Sequence, residues 1–253
     1  MAIDTTMRGK VALVTGAASG LGRATAFKMA EAGAQIAITD VDTQGLEAVA
    51  GQLAEQGADV TAHAFDVTDA AACQAWVHQA AEHFGKINAL CNIAGIISLH
   101  NAHEMPVEDW NRTLAVNLSA PFFLMQAAIP YLLEQNGAVV NVSSCASYFG
   151  EAYAGAYCAT KAGITNLTKA LAMEYMHKPI RFNCVAPGGM VTNIANNFRP
   201  PEGCDFDLLK RYSPLRGCVE VDDVADMVML LASDAGRGFH GSSIDIDMGV
   251  TAG

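Results

Sequence analysis

The sequence predicts an α/β protein: one doubly wound parallel sheet with helices on both faces. Three observations lead there. Short apolar runs of strand length alternate with longer helical patterns along the whole chain. The runs are apolar at nearly every position rather than at alternate ones, which marks strands buried on both faces and therefore a parallel sheet. No linker, repeat or low-complexity tract divides the 253 residues, so a single domain over 1–253 fits better than two.

Each element follows from its local pattern. "VALVTG" (11–16) reads as a buried strand, and "GLGRATAFKMAEAGA" (20–34) as a helix stopped by Gly33. "QIAITD" (35–40) is the second strand, and 43–58 a helix with apolar positions 46, 49, 50, 53 and 54. A third strand covers 60–67, and Thr68 or Asp69 caps a helix running to Phe84. "INALCNIAG" (87–95) is the fourth strand and its turn. A helix over about 107–135 should be interrupted or bent near Pro121 and Pro130. "GAVVNVSS" (137–144) is the fifth strand, 153–177 a long helix, and "IRFNCVAPGG" (180–189) the sixth strand and its loop. Residues 190–218 carry two adjacent prolines and little periodicity. A helix at 221–232 and a strand at 242–247 complete the chain.

Composition excludes several classes of function. Half of the residues are apolar, enough for a large core. The net charge of −11 argues against nucleic acid, an anionic membrane or a highly acidic protein partner. No uncharged apolar run of membrane-span length stands out, and "MAIDTTMRGK" has no secretory pattern, so a cytoplasmic protein is expected. The seven cysteines are scattered without a CxxC pair and read as reduced thiols. Among seven histidines only His100-x-x-His103 has a suggestive spacing, in a loop with no third ligand, so no metal is expected.

"TGAASGLG" joins the first strand to the first helix. Gly16, Gly20 and Gly22 form G-x-x-x-G-x-G. Glycines there allow a tight turn and close backbone approach to a pyrophosphate, which the helix N-terminus attracts with free N–H groups. The alternative is a packing turn. Asp40 ends the second strand, where a carboxylate can accept both hydroxyls of an adenosine ribose; the alternative is a solvated loop aspartate, with Asp42 close by. Asp66 ends the third strand and could meet an adenine edge or serve the next helix as a cap.

"YAGAYCATKAG" (153–163) places Tyr157 and Lys161 at i and i+4, about 6 Å apart along one side of a helix. Tyr153 lies about 12 Å from Lys161 along the axis, too far to be tuned by it. A free tyrosine titrates near 10, too high for ready proton exchange at neutral pH, and a nearby ammonium favours the phenolate. Ser144 closes the fifth strand at the carboxyl edge of the sheet, where open α/β sheets bind ligands. Ser143, on the other face, is its alternative.

With these residues assembled, the chain resembles the short-chain dehydrogenase/reductase family in its branch of about 250 residues. The resemblance covers nearly the whole chain: "TGAASGLG", "DV" at 66–67, "NIAG" at 92–95, Asn117 in "AVNLSAPF", Ser144 in "VSS", Tyr157 and Lys161 in "YCATK", and "APGGMVT" at 186–192. It implies a Rossmann-type sheet and NAD(P)-dependent interconversion of alcohols and carbonyls. It further implies that Ser144 orients the substrate oxygen and Tyr157 is the acid/base. Lys161 would lower the Tyr157 pKa and hold the nicotinamide ribose, and Asn117 would anchor a relay water. The cofactor cleft would be formed by Gly16, Ser19, Gly20, Leu21, Gly22, Asp40, Val41, Asp66, Val67, Asn92, Ala94 and Gly95, with Pro187, Gly188, Met190 and Thr192 at the nicotinamide half. NAD is expected over NADP, because a 2′-phosphate would meet Asp40 and residue 19 is serine rather than a basic residue.

Two segments depart from the family pattern: "NIAG" stands for "NNAG", and "DIDMGVTAG" replaces the usual ending. The family also implies a homotetramer built through helices at about 107–135 and 153–177 and the last strand. The substrate is expected to be a small molecule, a hydrophobic or cyclic secondary alcohol or ketone with steroid- or terpenoid-like rings. Its walls would be 145–153 and a lid at 190–218, with Tyr148, Phe149, Tyr153, Met190, Ile194, Phe198, Phe206, Leu208 and Leu209. Cys145 and Cys158 should lie near this cleft. Two other readings stand beside this one: a 3-oxoacyl carrier-protein reductase docking through Arg199, Lys210, Arg211 and Arg216, and a non-catalytic dinucleotide-binding protein.

Overall fold

The computed structural model describes residues 4–191, 199–211, 213–214 and 216–252. Strands β1 (Val11–Thr15), β2 (Gln35–Asp40), β3 (Val60–Ala64), β4 (Ala89–Asn92), β5 (Ala138–Val142), β6 (Arg181–Pro187) and β7 (Ser243–Ile246) form one sheet. Its order is β3-β2-β1-β4-β5-β6-β7, with every pair parallel. Helices α1 (Gly20–Glu31), α2 (Thr43–Glu55) and α3 (Ala70–Phe84) follow the first three strands, and α4 (Val107–Leu114) and α5 (Ala120–Glu134) follow β4. Next come α6 (Gly155–Glu174), the short α7 (Phe206–Lys210) and α8 (Val221–Ala232).

Successive strand residues point to opposite faces, and both faces are buried. Ala12, Val14, Ile36 and Ile38 pack with Met29, Leu46, Val224 and Val228 on the α1–α2–α8 side. Val11, Leu13, Leu90 and Phe182 pack with Trp76, Leu124, Met125 and Ile164 on the α3–α5–α6 side. Each such large side chain contributes about 1.5–3 kcal/mol on burial, which explains why the strands read as continuous apolar runs. The two edge strands, β3 and β7, are half-exposed along their length.

The order of strand addition reverses between β1 and β4. From β1 the chain builds outward to β2 and β3; from β4 it builds the other way. A crevice at the carboxyl ends of two such strands is where open α/β sheets bind ligands.

Three local expectations need correction or refinement. Asp69, not Thr68, caps α3, accepting from the Ala71 and Ala72 N–H groups. The interruption of the 107–135 helix falls at Ala115–Ser119, where the backbone takes a π turn and the Ala120 N–H bonds to Ala115 O. Pro121 has no N–H to offer the Asn117 carbonyl and sits harmlessly in the first turn of α5. Pro130 does not end α5, which continues to Glu134. The stretch Val107–Glu134 is long and apolar enough to cross a membrane, yet Leu124, Met125, Ala128 and Leu132 are core residues.

Candidate active site

The turns after β1 and β4 meet across the switch point. Gly16 has φ +69°, and a Cβ there would stand 2.9 Å from Ala94 Cα. A Cβ on Gly22 would stand 2.0 Å from the Gly16 carbonyl oxygen. No side chain other than hydrogen fits either place, so α1 starts flush against the β1 turn. The Ser19 side chain does not cap α1, and its first turn carries no acid. Its positive end is therefore left for an anion, which suits a pyrophosphate.

Thr15 Oγ1, at the end of β1, accepts from the Ile93 and Ala94 N–H groups at 2.9 and 3.0 Å and ties the two turns together. Ile93, the departure in "NIAG", is a buried core residue, so an apolar side chain is what this position holds. Asn92 is buried and donates to Asn141 Oδ1, which places its side chain in the sheet's internal polar network.

The acidic residues around the switch-point crevice have local partners. Asp40 accepts from Ala18 N–H at 3.0 Å and from Asp42 N–H at 3.1 Å, so it buttresses the glycine-rich turn. Asp66 accepts from Thr68 N–H and from Arg112, and these bonds, the Thr68 one foremost, hold its carboxyl below the usual range. Val67 is buried beside it, while Val41 is largely exposed.

The four proposed catalytic residues come together from three elements. Asn117 lies in the π turn; its Oδ1 accepts from Ile96 N–H at 2.9 Å, and its Nδ2 donates to Ile96 O and Thr160 Oγ1. Lys161 is buried on α6, donates to Val142 O at 2.8 Å, and lies 5.5 Å from the Tyr157 ring centroid. A Cβ on Gly95 would stand 3.4 Å from Asn117 Oδ1 and 3.6 Å from Lys161 Nζ, which fixes these groups around one point. Ser144 follows β5, is buried, and caps the 3₁₀ turn Cys145–Ser147. Ser143 is turned into α6, bonding Lys161 O and Thr165.

Burial sets the electrostatics here. It raises the Tyr157 phenol above its ordinary value; the Ser144 hydroxyl, as a hydrogen-bond partner, works against that, and the Glu151 charge adds to it. Burial lowers Lys161 to about 8. It pushes the Cys145 thiol up to about 11 and raises Cys158, so both are protonated at neutral pH and weakly nucleophilic.

Of the residues expected at the nicotinamide half, Pro187 ends β6, the Gly188 N–H bonds to Ile246 O, and Met190 bridges to Val219. Thr192, Ile194 and Phe198 lie outside the described residues. The unusual C-terminal segment makes its own turn: the Asp247 carboxylate accepts from Gly249 N–H, Thr251 N–H and the Thr251 hydroxyl.

The predicted substrate wall is only partly assembled. Tyr148 is exposed and turned toward β7, its hydroxyl 2.6 Å from Ser243 Oγ, so it is not a wall residue. Phe206 and Leu208 on α7 are also exposed. Tyr153, Phe149, Met190 and Leu209 remain half-buried, and the Tyr153 hydroxyl accepts from Asp205 N–H at 2.7 Å, linking the 145–153 loop to the 190–218 segment.

Sequence reasoning missed two residues of this region. Thr15 is one, visible only as a hydroxyl at the end of an otherwise apolar strand. Glu151 is the other: the one charged residue in "CASYFGEAYAGAY", a signal that was open to reading. Among the described residues no group of three or more His, Cys, Asp or Glu is placed to hold a metal.

A family model described as Enoyl-(Acyl carrier protein) reductase matches residues 16–251. The chain is 40% identical over 252 residues to D-threitol dehydrogenase of Mycolicibacterium smegmatis, covering 98% of this chain and 95% of that one. It is 38% identical over 251 residues to 2,5-dichloro-2,5-cyclohexadiene-1,4-diol dehydrogenase LinX of Sphingobium indicum, covering 98% of each. A solved short chain dehydrogenase from Burkholderia cenocepacia J2315, in complex with NADP, matches with a TM-score of 0.88 and 31% identity over 97% of this chain and 99% of that one.

Proposed function

The chain belongs to the short-chain dehydrogenase/reductase family and is a short-chain alcohol dehydrogenase/reductase; from that premise we propose that it uses NAD(H) to interconvert a hydrophobic or cyclic secondary alcohol and its ketone. The observation that carries this reading is the convergence of Ser144, Tyr157, Lys161 and Asn117 beside Gly95, at the carboxyl edge of the sheet.

In oxidation the Ser144 hydroxyl and the Tyr157 phenolate hold the substrate oxygen between them, and Tyr157 takes its proton. In reduction Tyr157 returns the proton. The bound dinucleotide supplies the hydride acceptor or donor. Burial alone makes the phenolate costly, and each pKa unit is worth about 1.4 kcal/mol. Ser144 and the Lys161 charge are the groups of this chain that offset that cost. Asn117, fixed on Ile96, donates to Thr160, and Val142 O accepts from Lys161, which holds α6 in register behind the tyrosine.

The backbone of Gly16 and Ser19–Gly22 would hold the pyrophosphate, Asp40 and Val41 the adenosine ribose, Asp66 and Val67 the adenine, and Asn92, Ala94, Gly95, Lys161, Pro187, Gly188 and Met190 the nicotinamide half, with Thr192 beyond them. Preference for NAD rests on Asp40. The relatives are named as dehydrogenases of threitol and of a cyclic diol, which supports an alcohol substrate. We place the enzyme in the cytoplasm, as a homotetramer; Trp110 and Phe122 on α4 and α5 and Met173 on α6 are exposed for that contact, and light scattering tests it.

The deciding assay follows NADH absorbance over a panel of cyclic and linear secondary alcohols, with a 3-oxoacyl thioester run in the reductive direction. NADH formation from alcohols supports the reading. A relative 34% identical over 245 residues, named 3-oxoacyl-[acyl-carrier-protein] reductase FabG, of Thermotoga maritima, favours a second reading, reduction of a 3-oxoacyl thioester on a carrier protein, but Lys210, one of the basic residues it needs, already pairs with Asp207. Clear preference for the thioester would establish that second reading. Dinucleotide binding without any turnover would leave the non-catalytic one.

A further inference from the structure

The loop between the Ser144 turn and α6 enters the catalytic helix through an uncommon backbone. Tyr153 has φ +68°, a left-handed conformation that a bulky aromatic residue seldom adopts and that costs free energy wherever nothing holds it. It stands just before α6, one helical turn ahead of Tyr157. Its backbone angle therefore sets where the 145–153 loop lies relative to that tyrosine. Bonds from separate segments hold this corner. The Glu151 N–H donates to Cys158 Sγ at 3.3 Å, and the Tyr153 hydroxyl accepts from Asp205 N–H at 2.7 Å. The Tyr153 carbonyl accepts from His100 N–H at 2.9 Å, which acts directly on the strained backbone.

His100 belongs to the loop after β4, and its ring is held in turn. Nε2 lies 3.0 Å from Asp109 Oδ2 on α4 and 2.7 Å from Ser98 Oγ. A carboxylate only accepts, so Nε2 carries the proton and donates it. The contact ties the loop to α4, which runs on into the π turn that holds Asn117. Both partners are partly exposed, so the pair adds little to global stability. What it does is place the His100 N–H against the Tyr153 carbonyl.

We propose that His100 is a positioning residue for the dehydrogenase reaction: braced by Asp109, it keeps Tyr153 left-handed and so fixes the 145–153 loop against Tyr157. This rests on the alcohol dehydrogenase reading above and adds to it a residue from the β4–α4 loop. His100 acts through Tyr153, not on the reacting atoms. The consequence therefore falls on ligands large enough to reach the loop. A cyclic alcohol meets it, whereas 2-propanol needs little beyond Ser144 and Tyr157.

The experiment measures kcat and KM for cyclohexanol and 2-propanol, with NAD affinity and melting temperature alongside, in the natural enzyme, His100→Ala and His100→Gln. His100→Ala should raise the cyclohexanol KM about tenfold and that of 2-propanol by less than about threefold, with NAD affinity unchanged. His100→Gln, whose amide can donate to Asp109, should recover most of the loss. The deciding arm is a double-mutant cycle with Tyr153→Asn, since asparagine enters the left-handed region far more readily than tyrosine and needs less holding. In that background the effect of His100→Ala on the cyclohexanol KM should shrink by at least about threefold. His100→Asn, too short to reach Asp109, takes the place of His100→Ala if that variant fails to bind NAD.

An effect of the same size in the Tyr153→Asn background would overturn the inference and leave the dehydrogenase reading standing. So would equal losses for cyclohexanol and 2-propanol, or a lowered melting temperature with both KM values intact, either of which marks a purely structural tie. Preference for linear alcohols would overturn the cyclic substrate class alone, and the cycle is then decided on the largest linear alcohol. Turnover of no alcohol would remove the alcohol substrate and this inference with it.

Discussion

The two halves of the crevice are built from different material. On the proposed dinucleotide side, what is offered to a ligand is backbone: the Gly16–Gly22 turn and the open N-terminus of α1, tied to the β4 turn through Thr15. On the proposed substrate side they are side chains on irregular backbone: Ser144 on a 3₁₀ turn and Tyr153 in a loop with a positive φ. Backbone placed by strand register has one way to sit. Side chains on a loop have many, and substrate choice can vary there without disturbing the dinucleotide half.

Tyr157 stands where the halves meet, and substituting it separates them most sharply. Tyr157→Phe should lower kcat by about 10²–10⁴-fold, the range of a lost general acid/base, while NAD binding, measured by fluorescence titration, stays within a few-fold. Tyr153→Phe loses only the bond from Asp205 N–H, worth about 1 kcal/mol, and should cost less than about fivefold. If the Tyr153 variant were the inactive one, the assignment would be wrong. The pH profile carries the same information. Since burial raises the phenol, the phenolate fraction grows tenfold per pH unit below its pKa, and the oxidation rate should climb through the alkaline range. A flat profile from about pH 6 to 10 would exclude a phenolate base with the raised pKa of this site.

The same contrast explains what could be read in the sequence. β1, β2, β5 and β6 and the residues that end them were legible because strands buried on both faces must be apolar throughout. Tyr157 and Lys161 were legible because helical spacing fixes which residues share a side. Tyr148 was misread: an aromatic residue near Ser144 suggests a pocket wall, but loop backbone turns its hydroxyl to Ser243 instead. The π turn holding Asn117 was displaced to the neighbouring prolines, because proline advertises a break while the rearranged hydrogen bonds that make one leave no composition signal.

The dinucleotide side should tolerate the least change. Gly22→Ala puts a methyl group 2.0 Å from the Gly16 carbonyl, where only backbone movement relieves the clash. Overpacking of this kind costs about 1–3 kcal/mol. If the displaced turn bears that cost in the complex, NAD affinity falls about 10- to 100-fold. Unchanged NAD affinity would show that the α1 turn does not carry the pyrophosphate.

Asp40 gives the smallest expected effect and the finest comparison, because it belongs to both the backbone and the charge of its half. Its carboxylate braces the Ala18 and Asp42 amides, and in the proposed assignment its charge would oppose a 2′-phosphate. Two unit charges about 4 Å apart repel by about 1 kcal/mol in water and about 4 kcal/mol at an effective dielectric of 20. The natural enzyme should therefore favour NAD over NADP by tenfold or more in kcat/KM. Asp40→Ala removes the brace and the charge together, so the preference should shrink partly through loss of NAD binding. Asp40→Asn keeps one accepting oxygen and removes the charge, so its gain should appear chiefly as improved NADP use. Equal kcat/KM for the two cofactors in the natural enzyme would refute the NAD assignment. A preference left intact in Asp40→Asn would mean that shape around Val41, rather than charge at Asp40, excludes the phosphate.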